Sequence, residues 1–155
     1  MNEQIISIWK YFHEFNVRYI IIGGFAVNVY GYNRNTGDLD VYLEDTLENR
    51  QNLKKAFIAI GIGNFESIET MQFVPGWTDF TLNYGLRLDI MTTVKGLEDQ
   101  SFDSLLEVAT IVSIDKIPVN FIDYDNLIIS KKAANRPKDL LDIEELDKLN
   151  DKKDS

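Results

Sequence analysis

Cysteine is absent from the 155-residue chain. Disulfides, thiolate zinc sites and cysteine nucleophiles are therefore excluded. Histidine is nearly absent: His13 is the single one, on the first helical segment and away from every motif below. Histidine-dependent catalysis is ruled out as the main chemistry. Long apolar runs are missing too. No stretch approaches the roughly 20 apolar residues a membrane helix needs, and the longest, such as Tyr19–Ile22, are strand-sized. The opening Met-Asn-Glu-Gln lacks the basic-then-apolar order of a signal peptide. The expectation is a cytoplasmic protein with no membrane partner. Positive charge is scarce as well: 25 Asp and Glu outweigh 16 Lys and Arg, for a net charge of −9. Proteins that bind nucleic-acid polymers carry basic stripes that displace counterions from phosphates. The densest basic cluster here runs only from Lys131 to Lys138, and acids follow at once. No extended nucleic-acid surface is expected. A small phosphorylated ligand held by a metal and one or two cations is the better candidate.

What is present suits one α+β (mixed α/β) domain over residues 1–150, with 151–155 as a frayed tail. Ile5, Ile8, Trp9, Phe12 and Phe15 recur at helical spacing over 2–15, and Asn16 closes that helix. Tyr19–Ile22 reads as a buried strand, Phe25–Tyr30 as a short helix, Asp38–Leu43 as a two-faced strand and Leu47–Ile60 as an amphipathic helix. Further on, Met71–Val74, Asp79–Asn83 and Leu86–Met91 read as strands, with turns at Pro75-Gly76 and Tyr84-Gly85. A short helix over Ser101–Ala109 precedes a hairpin around Asp115-Lys116. Helices over Asp125–Ala134 and from Pro137 to about Asn150 complete the chain.

The chemistry-bearing stretch is Gly23-Gly24 followed, after thirteen intervening residues, by Asp38-Leu39-Asp40-Val41. Two glycines at a strand-to-helix junction let the backbone approach a ligand, and the amides opening a helix favour an anion such as phosphate. Asp38 and Asp40, two apart on a strand, share one face. Like charges that close call for a cation, and magnesium prefers oxygen ligands. Leu88-Asp89-Ile90 sets a third carboxylate between two core-facing residues. If that strand neighbours Asp38–Leu43, three acids converge, enough to hold two metals.

Gly23-Gly24, Asp38-Leu39-Asp40-Val41 and Leu88-Asp89-Ile90 together resemble the signature of the DNA polymerase β-like nucleotidyltransferase superfamily. The resemblance implies a nucleotidyltransferase palm: a small mixed sheet with flanking helices and a C-terminal helical segment. It implies that Gly23 and Gly24 contact the phosphates of a nucleoside triphosphate. It implies that Asp38 and Asp40 bind two Mg2+ ions, with Mn2+ as a substitute, and that Asp89 completes the site as general base. Many members have Gly-Ser where this chain has Gly23-Gly24. The segment Lys131-Lys-Ala-Ala-Asn-Arg136-Pro-Lys138-Asp139-Leu-Leu-Asp142 is similar to the closing motif of AbiEii-type bacterial nucleotidyltransferases. That likeness implies a triphosphate contact for Lys131, with Arg136, Lys138, Asp139 and Asp142 ordering that end of the site.

Arg34 and Thr36, in the loop before Asp38, are phosphate-binding candidates, since a cation there neutralises charge as pyrophosphate leaves; the alternative is an ordinary loop arginine. Tyr42, Tyr30, Tyr32 and Trp77 suit packing better than contact with a base. The expected activity is Mg-dependent transfer of a nucleoside monophosphate to an acceptor hydroxyl. A small-molecule acceptor is favoured, as in antibiotic-modifying relatives. The alternatives are a toxin–antitoxin-type enzyme acting on RNA or protein, and a non-catalytic nucleotide-binding module. The small size leaves room for a second copy or another protein to complete the cleft.

Overall fold

Helix α1 (Glu3–Glu14) buries Ile5, Ile8, Trp9 and Phe12 along one stripe, and Asn16 ends the helical path with a φ of 56°. The structure, a computed structural model, describes residues 3–74, 78–82 and 85–154. Strand β1 (Tyr19–Ile22) follows, buried throughout. Then come α2 (Gly23–Val29), β2 (Asp38–Leu43) and α3 (Leu47–Ile60). Thr46 caps α3 by accepting from the Asn49 amide, and Gly61 closes it in the left-handed region. After a 3-10 turn at Glu66–Glu69 come β3 (Asp79–Thr81), β4 (Arg87–Met91) and α4 (Phe102–Glu107). The hairpin of β5 (Thr110–Ile114) and β6 (Ile117–Phe121) turns at Asp115 and Lys116, both at positive φ. Helices α5 (Tyr124–Ala134) and α6 (Pro137–Asp154) end the chain.

The described strands form one mixed sheet in the order β3-β4-β2-β1-β6-β5. β2 runs antiparallel to β1 and parallel to β4. Leu39, Val41, Leu88 and Ile90 are fully buried, so alternation sends Asp38, Asp40 and Asp89 to the other face. The buried face packs on α1 and α3: Trp9 stacks 6.5 Å from Tyr19, and Phe57 meets Phe80 edge-on at 4.8 Å. On the acid face, Phe102 of α4 covers Tyr42 at 5.2 Å.

Four details depart from the sequence reading. Helix α2 starts at Gly23 and not at Phe25, so both glycines lie inside its first turn. Segment 71–74 is not a strand. Side chains hold its backbone: Arg50 Nη1 donates to the Met71 carbonyl at 2.6 Å, and Val74 donates to Thr78 Oγ1 at 2.7 Å. β3 stops at Thr81 because Leu82 donates back to the Leu86 carbonyl at 2.7 Å. Helix α6 continues through the expected tail to Asp154. The Pro75-Gly76 turn and the Trp77 position lie outside the described residues, as does part of the Tyr84-Gly85 turn. Among the described residues no helix is long and apolar enough to cross a membrane.

Candidate active site

The sheet register gathers the acids. Asp40 lies directly opposite Asp89 across the parallel β2–β4 pair, and Asp38 lies opposite Arg87. The strand pairing inferred for Asp89 is therefore present. Asp40 is largely buried among like charges. Its pKa is pushed up from 3.8 to about 6, first by burial, then by Asp89 and Asp38; Lys138 and Lys131 pull it partly back. Asp38 is half exposed, with a loose ion pair to Arg87 at 3.9 Å. Among the described residues no group of three or more histidine or acidic side chains is placed to hold a metal ion.

The two glycines are dictated by these neighbours. Gly23 has φ +70°, and a Cβ there would sit 2.1 Å from Asp40 Oδ2. The Asp40 carboxylate thus lies over the bare backbone of Gly23. A Cβ on Gly24 would meet Thr36 Oγ1 at 2.6 Å and Arg34 Nη1 at 3.4 Å. Thr36 thus occupies the space a side chain at position 24 would need. The Thr36 hydroxyl donates to the Asp38 carbonyl at 3.1 Å, fixing the loop entry to β2.

Arg34 and Lys131 meet through carboxylates that the sequence alone does not pair. Arg34 donates from Nε and Nη2 to the two oxygens of Asp142 at 2.8 and 2.9 Å. Its Nη1 donates to the Asn35 carbonyl at 3.4 Å and lies beside Gly24. Lys131 is buried, with Nζ 2.9 Å from Asp142 and 3.2 Å from Asp139. Arg136 adds a 2.6 Å contact to Asp139. Burial raises the Asp139 pKa, but hydrogen bonds from Arg136 and Lys131 outweigh it and hold the carboxyl below its ordinary value. Asp139 and Asp142 are each 1% exposed, so this knot ties α5, α6 and the loop before β2 into one support.

Two residues escaped the sequence reading. Asp79 lies opposite Asp89 in the antiparallel β3–β4 pair, and Arg87 bridges it at 2.8 Å. Their only sequence signal was their two-residue phase with Asp89 and Thr81, which needs the register to interpret. The remaining candidates pack. Tyr42 is buried, and Tyr30 donates to the Ile122 carbonyl at 2.7 Å. His13 is exposed and lines a recess of about 530 Å³ with Arg18, Glu44 and Asn49. That recess lies past the C-terminal end of β2, at Glu44 and Thr46, away from Asp38 and Asp40.

Comparison with known proteins agrees with this architecture. The crystal structure of the lincosamide antibiotic adenylyltransferase LnuA, lincomycin-bound, matches with a TM-score of 0.62 at 14% identity. That match covers 96% of this chain and 98% of the other. A putative nucleotidyltransferase from Thermotoga maritima, solved at 1.87 Å, matches with a TM-score of 0.58 at 14% identity, covering 96% and 91%. No curated protein matches significantly. The chain shares its fold with these two proteins. The family model described as "Nucleotidyl transferase of unknown function (DUF2204)" matches residues 1–155, and the chain belongs to this transferase family.

Proposed function

We propose that the chain transfers a nucleoside monophosphate from a nucleoside triphosphate to an acceptor hydroxyl, using Asp38, Asp40 and Asp89 as metal-holding carboxylates. The observation that carries this reading is Asp40: a carboxylate set over bare backbone and beside two more acids, with its pKa pushed up to about 6. A hard divalent cation relieves that repulsion, and the donor set is all oxygen, which suits magnesium, with manganese as a substitute. Half-exposed Asp38 has room to rotate toward Asp40 as an ion enters. When bound, two such ions supply Lewis-acid charge to the triphosphate and to the attacking oxygen.

The chain's own groups divide the remaining work. Gly23 and Gly24 leave the first turn of α2 open to phosphates, and Thr36 and the Nη1 of Arg34 border it. Lys131, enclosed by two carboxylates, supports this edge and adds positive charge to it through space. Asp89 takes the proton of the acceptor hydroxyl. The acceptor oxygen forms a bond to the α-phosphorus as the bond to the bridging oxygen breaks, and pyrophosphate leaves. The likeness to an antibiotic adenylyltransferase over nearly both whole chains supports ATP and a small-molecule acceptor. The AbiEii-type motif from Lys131 to Asp142 favours the second reading, an RNA or protein acceptor.

Incubating the protein and magnesium with a cell extract and a triphosphate labelled at the α-phosphorus separates these readings. Label is expected in the small-molecule fraction. Label in RNA or protein selects the second reading, and transfer to no fraction contradicts both. Gly23→Ala is expected to lower transfer by on the order of a hundredfold, because its Cβ must expel the Asp40 carboxylate. The positive φ adds about 1–2 kcal/mol of instability, readable by thermal unfolding.

A further inference from the structure

Beside the acids lies a recess of about 430 Å³, within the roughly 300–1,000 Å³ of small-molecule sites. Its floor includes Ile22 and Met91. Both belong to the acid face: Ile22 is opposite Asp40, and Met91 follows Asp89 by two residues on β4. The floor is therefore continuous with the carboxylates. Val94 contributes to one wall, in the segment after β4, and Ser130 and Ala134 of α5 to the other. Gly96 seats the first wall on α5. Its φ is +91°, and a Cβ there would lie 2.8 Å from Ala133 Cβ and 3.2 Å from the Ile129 carbonyl.

The two sides of the glycine pair differ in chemistry. Gly24 faces the Thr36 hydroxyl and the Arg34 guanidinium, a setting for phosphate. Gly23 borders the recess, whose exposed surface is mostly apolar although Thr93, Lys95, Glu98, Lys131 and Asp139 also line it, and among the described residues no aromatic ring or arginine does. Protein sites for nucleobases commonly stack them on aromatic rings or guanidinium planes. We propose that this recess is the acceptor site and takes a small alcohol with an aliphatic, non-aromatic body, its hydroxyl directed at Asp40 and Asp89. The proposal rests on the transfer reading above. The triphosphate then occupies the Gly24, Thr36 and Arg34 side.

Methyl NMR on the full chain tests it, with trans-1,2-cyclohexanediol as the probe and magnesium and ATP present. Saturable shifts are expected at Ile22, Met91, Val94 and Ala134. Ala134→Phe, which fills the recess, weakens the diol at least about tenfold and leaves magnesium–ATP affinity within about twofold. Ser130→Leu fills it from one turn earlier and does the same, should Phe at 134 disturb the end of α5. Diol shifts elsewhere, or none, overturn the proposal. Shifts of Val94 and Ala134 by ATP alone, with ATP binding lost in Ala134→Phe, give the recess to the base and also overturn it, while the transfer reading stands. If ATP and magnesium do not bind the parent protein at all, the transfer reading falls and takes the acceptor site with it.

Discussion

Asp40→Asn is expected to lose transfer by on the order of a thousandfold or more and yet to be more stable without ligand, by about 2 kcal/mol at pH 7. Both effects have one origin. Burial, Asp89 and Asp38 raise the Asp40 pKa from 3.8 to about 6. A shift of that size corresponds to roughly 3 kcal/mol; asparagine keeps the shape, removes the charge and loses part of the gain through altered hydrogen bonding. The pH dependence fixes the sign. Between about pH 4 and 6 the folded chain holds a proton on Asp40 that the unfolded chain releases. Stability therefore falls as pH rises through that window, and the cost is complete above about 6. Asp139, with its pKa lowered, works in the opposite direction. The difference between parent and variant isolates Asp40. Urea unfolding of both proteins at a series of pH values reads it: the two curves converge near pH 4 and separate by pH 7. A variant less stable than its parent at pH 7 would make Asp40 a structural residue.

Asp142→Ala is expected to cost about 3–5 kcal/mol, the range for breaking a buried ion pair from one side. Asp142 is 1% exposed and accepts from Arg34 twice while pairing with Lys131. Without it, Arg34 can turn to water, since its side chain is 24% exposed. Lys131, at 5%, cannot, and keeps only Asp139. Adding Lys131→Met to Asp142→Ala removes the stranded charge and should recover part of the loss, which denaturant melts of the double-mutant cycle measure. Transfer by the single variant should also fall, by up to about a hundredfold, because the Arg34 edge against Gly24 is no longer held in place. A surface-like penalty below about 1 kcal/mol would contradict the role of this knot.

The features legible in the sequence are local ones. Alternation across Asp38–Leu43 places its acids on one face whatever the strand's neighbours. The helical spacing over Leu47–Ile60 marked α3 with the same bounds. Gly23-Gly24 was legible as a close approach, though the approaching groups are Asp40 at Gly23 and Thr36 at Gly24. The features hidden from it depend on partners far along the chain. Arg34 and Asp142 are 108 residues apart, and nothing near either announces the other. A basic residue in a phosphate-side loop and a lysine in a helix both looked available for ligand; one is clamped and the other buried by Asp139 and Asp142, acids whose implied role was to order that end of the site without named partners. Segment 71–74 had the composition of a strand, but Arg50 and Thr78 claim its backbone groups. Asp79 and Arg87 required the β3–β4 register, which is set by pairing and not by pattern.

Calorimetric titration of the parent protein and of Asp40→Asn with ATP, CTP, GTP and UTP, each with and without magnesium, tests the central claim most directly. At least one triphosphate should bind the parent only when magnesium is present, and none should bind the well-folded variant. Metal-independent binding, or equal binding by parent and variant, would contradict the assignment of Asp38, Asp40 and Asp89 as the site of nucleotide transfer.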